Sequence, residues 1–153
     1  MNPEVTTAAT DGSSLGNPGP GGWAWVTEDG REGFAGARRS TNNRMELRAV
    51  LELLLAVDTG GPLVVQTDSA YVIGVFTEWL ARWRARGMRT ASNKPVENVD
   101  LIELIDRALQ GRDVTFEKVL GHSTHVLNNR ADALAHGAAQ RAKQRLAREV
   151  LGQ

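Results

Sequence analysis

The sequence predicts an α/β fold with a mixed sheet flanked by helices. Three observations carry this. Three segments of strand composition open the chain, helical and strand-like segments alternate after them, and glycine and proline punctuate the boundaries. Consecutive antiparallel strands joined to βαβ-type alternation give a mixed sheet.

EVTTAAT (4–10) and GWAWVTE (22–28) read as strands, separated by the turn-rich GSSLGNPGPG. Asp29-Gly30 favours a tight hairpin into a third strand at 31–38. A helix starts near Asn42 or Asn43 and runs to about Val57, where Gly60-Gly61-Pro62 stops it. LVVQT (63–67) has the composition of a buried strand, and Ser69 to Leu80 follows as a helix. Residues 81–97 are polar, basic and broken by Gly87 and Pro95. A helix from Asn98 to Gln110, a strand from Val114 to Leu120 and a helix from Asn128 to about Val150 complete the chain.

With 153 residues, 41% hydrophobic, and no repeat or linker, a single domain over 1–153 is expected. A domain this size buries roughly 70% of the surface its unfolded chain exposes, enough to fold without a staple. The absence of cysteine excludes a thiolate zinc site and a disulfide scaffold. It also suits a reducing compartment. MNPEVTTAATDG has no cationic stretch followed by an apolar one, so a cytoplasmic protein is expected. No apolar run approaches the ~20 residues of a membrane span. No apolar patch calls for a second subunit, so the expectation is a monomer.

The formal net charge is zero, which argues against an indiscriminate polyanion binder. Charge is unevenly placed, however. Arg82, Arg84, Arg86, Arg89 and Lys94 lie between Trp79 and Val96 with no acid among them. Local patches would have to carry any nucleic-acid contact.

Four acids stand out. Asp11 closes the first strand, Asp68 closes LVVQT, and Asp132 lies in about the first turn of the last helix. Each has a second reading as a turn or cap residue. Glu46 is more telling. It shares a helical face with Val50, Leu53 and Val57, while Arg44, Arg48 and Glu52 offer the wet side. A carboxylate at the end of an apolar stripe points at the sheet, and there it needs a cation or hydrogen-bond donors. If the four converge, each pair about 4 Å apart repels by about 4 kcal/mol at an effective dielectric near 20. Oxygen-only ligands then favour Mg²⁺ or Mn²⁺.

In order and spacing, TDGSSLGNPGPGGWAW, TNNRMEL, TDSAYV, NKPVENVDL and GHSTH…NNRADALA resemble bacterial type 1 ribonuclease H, over about residues 4–140. The resemblance implies a five-stranded mixed sheet of order 3-2-1-4-5 whose first three strands are antiparallel. It implies an endonuclease that hydrolyses the RNA strand of RNA–DNA hybrids by two-metal-ion cleavage, leaving 5′-phosphate and 3′-hydroxyl ends. Mg²⁺ is the expected cofactor, with Mn²⁺ as its substitute. Asp11, Glu46, Asp68 and Asp132 match the family's catalytic metal ligands. His122 matches a loop histidine assigned to proton transfer or product release. His125 and His136 are left as structural residues.

By the same resemblance, Gly12, Ser13, Asn17, Asn42 and Asn43 would meet the hybrid's sugars, phosphates or minor-groove edges. Thr41 and Arg44 would bind a DNA phosphate. Asn42 has a rival role as the N-cap of the Glu46 helix. Residues 79–97 look like the family's basic handle, where Trp79 and Trp83 share a helical face among Arg82 and Arg84. Such a surface suits phosphate contact and packing on deoxyribose. For Trp83, burial in the core is an equal alternative. The chain also departs from the pattern: Ala70 stands for a frequent Gln, Met88 for a handle Trp, Leu127 and Asn129 for acids, and Ser14 for Cys.

Overall fold

An antiparallel meander of β1 (Thr6–Ser14), β2 (Gly19–Thr27) and β3 (Glu32–Ser40) forms one half of the sheet in the computed structural model, which describes residues 4–58, 60–121 and 125–152. β4 (Leu63–Thr67) joins β1 in parallel, and β5 (Val114–Lys118) joins β4 in parallel. The resulting order, β3-β2-β1-β4-β5, is the one the resemblance implies.

Alternation along β1 assigns the two faces. Ala8 packs in the cluster with Leu47, Val50 and Leu53 of α1 (Asn42–Ala56) and with Ile102 and Ile105 of α4 (Val99–Leu109). Its neighbour Ala9 packs with Val26 and with Ala131 of α5 (Val126–Leu151). Helices therefore cover both faces, as the two-residue period of a doubly buried strand requires. α5 presents Ala131, Ala135, Ala138, Ala139 and Ala142 as a buried stripe, and small side chains let it sit close to the sheet.

Several boundaries differ from expectation, each for a local reason. β1 continues past residue 10 to Ser14, because Asp11–Ser14 keep pairing with Gly21–Ala24 of β2 after the parallel ladder to β4 ends at Ala9–Gln66. Asp11 thus lies within a strand, just where β1 and β4 part. The N-cap of α1 is Thr41, whose Oγ1 accepts from the Arg44 N–H at 3.2 Å; the capping role considered for Asn42 falls to its neighbour. α5 begins at Val126, two residues early, which puts Asp132 in its second turn.

The helix expected to stop at Leu80 runs on. α2 (Ala70–Gly74) passes through a π-helical turn (Val75–Trp79) into α3 (Leu80–Ala85). Ala, Leu and Arg in 80–85 are strong helix formers, and Gly87 at φ 65 ends the run. The π turn also has a packing consequence. Trp79 lies across Gly74, where a Cβ would stand 2.5 Å from its ring. Among the described residues, no helix is long and apolar enough to cross a membrane.

Candidate metal centre and substrate cleft

Three acids meet where β1 and β4 diverge. One carboxylate oxygen each from Asp11, Glu46 and Asp68 lies within 4.8 Å of the other two. Asp11 comes from β1, Asp68 follows β4 directly, and Glu46 enters from the first turns of α1. The apolar stripe that suggested Glu46 is real: Val50, Leu53 and Val57 are fully buried, and Glu46 is only 4% exposed. Arg44, on the wet side of the same helix, is engaged by Asp100, at 3.0 and 2.9 Å.

Gly12 makes the approach of α1 to β1 possible. A Cβ there would overlap the backbone of Met45 and Glu46. With none, the Gly12 N–H donates to Glu46 Oε1 and aims that carboxylate at the cluster. Ser69, besides capping α2 through the Val72 N–H at 3.1 Å, also hydrogen-bonds with Glu46.

The electrostatics follow from this crowding. Burial pushes the Asp11 carboxyl up to about 10, with Glu46 and Asp68 adding charge repulsion and Asp132 a hydrogen bond that favours the protonated form. Asp132, on α5, thus interacts with Asp11 but is not among the three carboxylates that lie within 4.8 Å of one another. Burial, then the charge of Asp68, raises Glu46 to about 8, while hydrogen bonds from Gly12 and with Asp11 and Ser69 pull it down. Both buried acids hold protons at neutral pH unless something positive compensates. The donor set is all oxygen, close-spaced and anionic, which fits a hard divalent cation.

Gly121 lies against this centre: a Cβ on it would be 2.7 Å from Asp68 Oδ2. His122 itself falls outside the described residues. His125 and His136 are exposed on the first half of α5 and its N-cap.

The substrate residues divide into groups. Asn17, Thr41, Asn43 and Arg44 line a cleft of about 250 Å³ together with Glu97 and Asn98. Asn17 Oδ1 accepts from the Asn42 N–H at 3.0 Å, which ties the 15–18 connection between β1 and β2 to the start of α1. Gly12 is buried with its N–H already used, Ser13 is half-buried, and Asn42 is exposed. Trp79 and Trp83 are half-buried, with ring centroids 6.0 Å apart, and line a groove of about 430 Å³ with Tyr71, Lys94 and Pro95. Arg82 and Arg84 are exposed but engaged, Arg82 with Glu78 at 2.6 Å and Arg84 with Asp106 of α4. Ala70 is exposed beside the centre.

Two residues that hold the cleft's arginine escaped sequence reasoning. Asn98 accepts from Arg44 Nη1 at 3.2 Å, and Asp100 grips the same guanidinium. The available signal was the NKPVENVDL block, which holds both.

Carboxylates clustered where two strands of a mixed sheet diverge, beside a cleft holding an arginine, are an arrangement that fits a metal-dependent nuclease. The sequence profile described as RNase H matches residues 3–140, and the chain belongs to the ribonuclease H family. It is 48% identical over 130 residues to the ribonuclease H of Alcanivorax borkumensis, covering 83% of this chain and 86% of that one. It is 47% identical over 135 residues to the ribonuclease H of Halorhodospira halophila, covering 86% and 91%. Among solved structures, LC9-RNase H1, described as a type 1 RNase H with the type 2 active-site motif, superposes with a TM-score of 0.80 at 31% identity, covering 93% of this chain and 74% of that one.

Proposed function

We propose that this chain is an endonuclease that hydrolyses the RNA strand of RNA–DNA hybrids, with Asp11, Glu46, Asp68 and Asp132 as its catalytic metal ligands. The observation that carries it is the buried carboxylate trio, oxygens within 4.8 Å, in a chain of the ribonuclease H family. Divalent ions held there would stabilise the attacking and leaving oxygens of an in-line phosphoryl displacement. Mg²⁺ is the proposed ion and Mn²⁺ its substitute, because an all-oxygen, multiply anionic donor set selects hard cations.

The chain's own groups do the rest. Gly12 orients Glu46 through its N–H. Thr41, Arg44 and Asn98 bind a phosphate of the DNA strand, Arg44 being held in place by Asp100. Asn17, Ser13, Asn42 and Asn43 meet the sugar edges, where a 2′-hydroxyl distinguishes RNA from DNA. Trp79 and Trp83 pack on deoxyribose. His122 takes part in proton transfer or product release. The chain acts as one domain with a basic handle at about 79–97, as a cytoplasmic monomer.

The test is cleavage of labelled RNA–DNA hybrid, double-stranded RNA and double-stranded DNA with Mg²⁺, Mn²⁺ or EDTA. Hybrid-only cleavage to 5′-phosphate ends, lost in EDTA and in Asp68→Asn, is expected. Robust cleavage in EDTA, or better cutting of pure DNA, refutes it.

A further inference from the structure

The C-terminal half of α5 is basic: Arg141, Lys143, Arg145 and Arg148 follow one another there, with Glu149 as the single acid. Two of these cations line a groove of about 300 Å³ between α5 and the edge strand β3. Its walls are Phe34, Ala35, Gly36, Ala138, Arg141 and Arg145. None of the six belongs to the carboxylate centre, the phosphate cleft or the handle.

The groove is shaped around the two guanidiniums. Arg141 lies over the Phe34 ring, 5.6 Å from its centroid, and its Nη1 passes Gly137, where a Cβ would be 3.3 Å away. Arg145 Nη2 passes Gly36 in the same manner, at 3.1 Å from where a Cβ would stand. Neither arginine makes an ion pair or a hydrogen bond to protein among the described residues. The nearest acid on the helix is spent, because Glu149 takes Arg38 of β3 at 2.6 Å. Like charges at i and i+4 repel on a helix surface. An anion from outside would offset that repulsion.

The other wall residues indicate which anion. Guanidinium forks suit phosphate and carboxylate alike. Phe34, however, is 43% exposed, and an open aromatic ring among free cations is how single-stranded nucleic acid is held: bases stack and phosphates pair. Arg141 and Arg145 stand one turn apart, about 6 Å along the axis, close to the separation of neighbouring phosphates on an extended strand. Ala35, Gly36 and Ala138 leave room for a base and offer no side-chain group to read its edge. The groove is also near the cleavage site. From Gly36 to Thr41 of the phosphate cleft is five residues of extended chain, about 17 Å, a distance that a few nucleotides span.

We propose that the β3–α5 groove binds an unpaired strand flanking the hybrid, with Arg141 and Arg145 on successive phosphates and Phe34 under a base. The site has no sequence preference and takes DNA and RNA flanks alike. It lies outside the machinery proposed for hybrid cleavage and rests on that function only for the choice of probe.

Fluorescence anisotropy in EDTA, which prevents cleavage, compares blunt hybrid with hybrids carrying an unpaired flank of about ten nucleotides, in DNA or in RNA. The flank should tighten binding about tenfold. Arg141→Gln with Arg145→Gln should abolish that gain and flatten the salt dependence of flank binding by about 1.4. The same variant should bind blunt hybrid as the wild type does and melt within about 2 °C of it, since both side chains are exposed. Phe34→Leu should remove about fivefold of the gain. As a second measurement, iodouracil placed along the flank of the wild-type complex should photo-cross-link to the Phe34 segment.

Equal affinity for blunt and flanked hybrids, a gain that survives the double variant, or cross-links confined to the handle overturns the site. Displacement of the flank by polyglutamate more readily than by an unlabelled single strand assigns the groove to an acidic peptide and overturns it too. All of these are binding measurements, so a protein that holds the flank but cuts no hybrid refutes the cleavage reading alone.

Discussion

Replacing Asp11 by asparagine should make the metal-free protein more stable while abolishing its chemistry. The expected size follows from the site. At pH 7, holding Asp11 protonated against an ordinary value of 3.8 costs up to about 4 kcal/mol. The alternative, leaving it ionised within 4.8 Å of another carboxylate, costs about 3.5 kcal/mol at an effective dielectric near 20. Asparagine keeps the shape without charge, but its amide must also be buried, so about half that ceiling is realistic. A gain near 2 kcal/mol raises the melting temperature by about 4–8 °C in a chain of this length. The pH dependence has a definite sign. The folded value of Asp11, about 10, lies above the unfolded one, so its contribution is intact below about pH 4 and is lost as pH rises. The advantage of Asp11→Asn should therefore be absent near pH 4 and grow through pH 8. Thermal unfolding in EDTA at several pH values measures it. Saturating Mg²⁺ should then raise the melting temperature of the wild type and leave that of the variant nearly unmoved. A variant melting at or below wild type at pH 8 in EDTA, or with the same offset at pH 4, refutes the repulsion argument. Hybrid cleavage should fall about a hundredfold or more.

Gly12→Ala forces a methyl group into the backbone of Met45 and Glu46, so α1 must shift from β1. A loss of more than about 3 kcal/mol is expected, seen as a lower urea midpoint, and cleavage should fail even where the fold survives. On the handle, Arg82 and Arg84 are spent on Glu78 and Asp106, whereas Arg86 and Lys94 have no ion pair among the described residues. Arg86→Ala with Lys94→Ala should flatten the plot of log affinity against log salt by nearly two. Arg82→Ala with Arg84→Ala should flatten it less, and equal slopes for the two pairs would show that the surface ion pairs give way freely to phosphate.

Legibility in the sequence tracked the kind of constraint that each feature obeys. Elements with a clear period were visible, so β4 matches residues 63–67 exactly as expected, and Glu46 declared itself by the stripe it shares with Val50, Leu53 and Val57. The aspartates did not, because a carboxylate after a strand is equally at home as a cap. Only the resemblance to ribonuclease H separated the two roles for Asp11 and Asp68. The π turn at Val75–Trp79 has no period of its own in so short a run, and it depends on a glycine accepting a tryptophan five residues on. Nothing in local propensity announces that fit.

The cleft was the least legible part, and the reason is sequence distance. Arg44 finds Asp100 across 56 residues and Asn98 across 54, while Asn98 meets Tyr71 across 27. Each of these side chains, taken where it stands in the chain, reads as an ordinary surface polar group. Their meaning comes from α1, α2 and α4 bringing them to one place, which is a property of the sheet order and not of any motif. The same dependence makes the cleft the more adjustable half of the site. The carboxylate trio tolerates little, since Gly12 and the burial of Glu46 leave no slack. Asn98 and Tyr71 instead act through half-buried hydrogen bonds, each of which can change by one group without disturbing the metal centre.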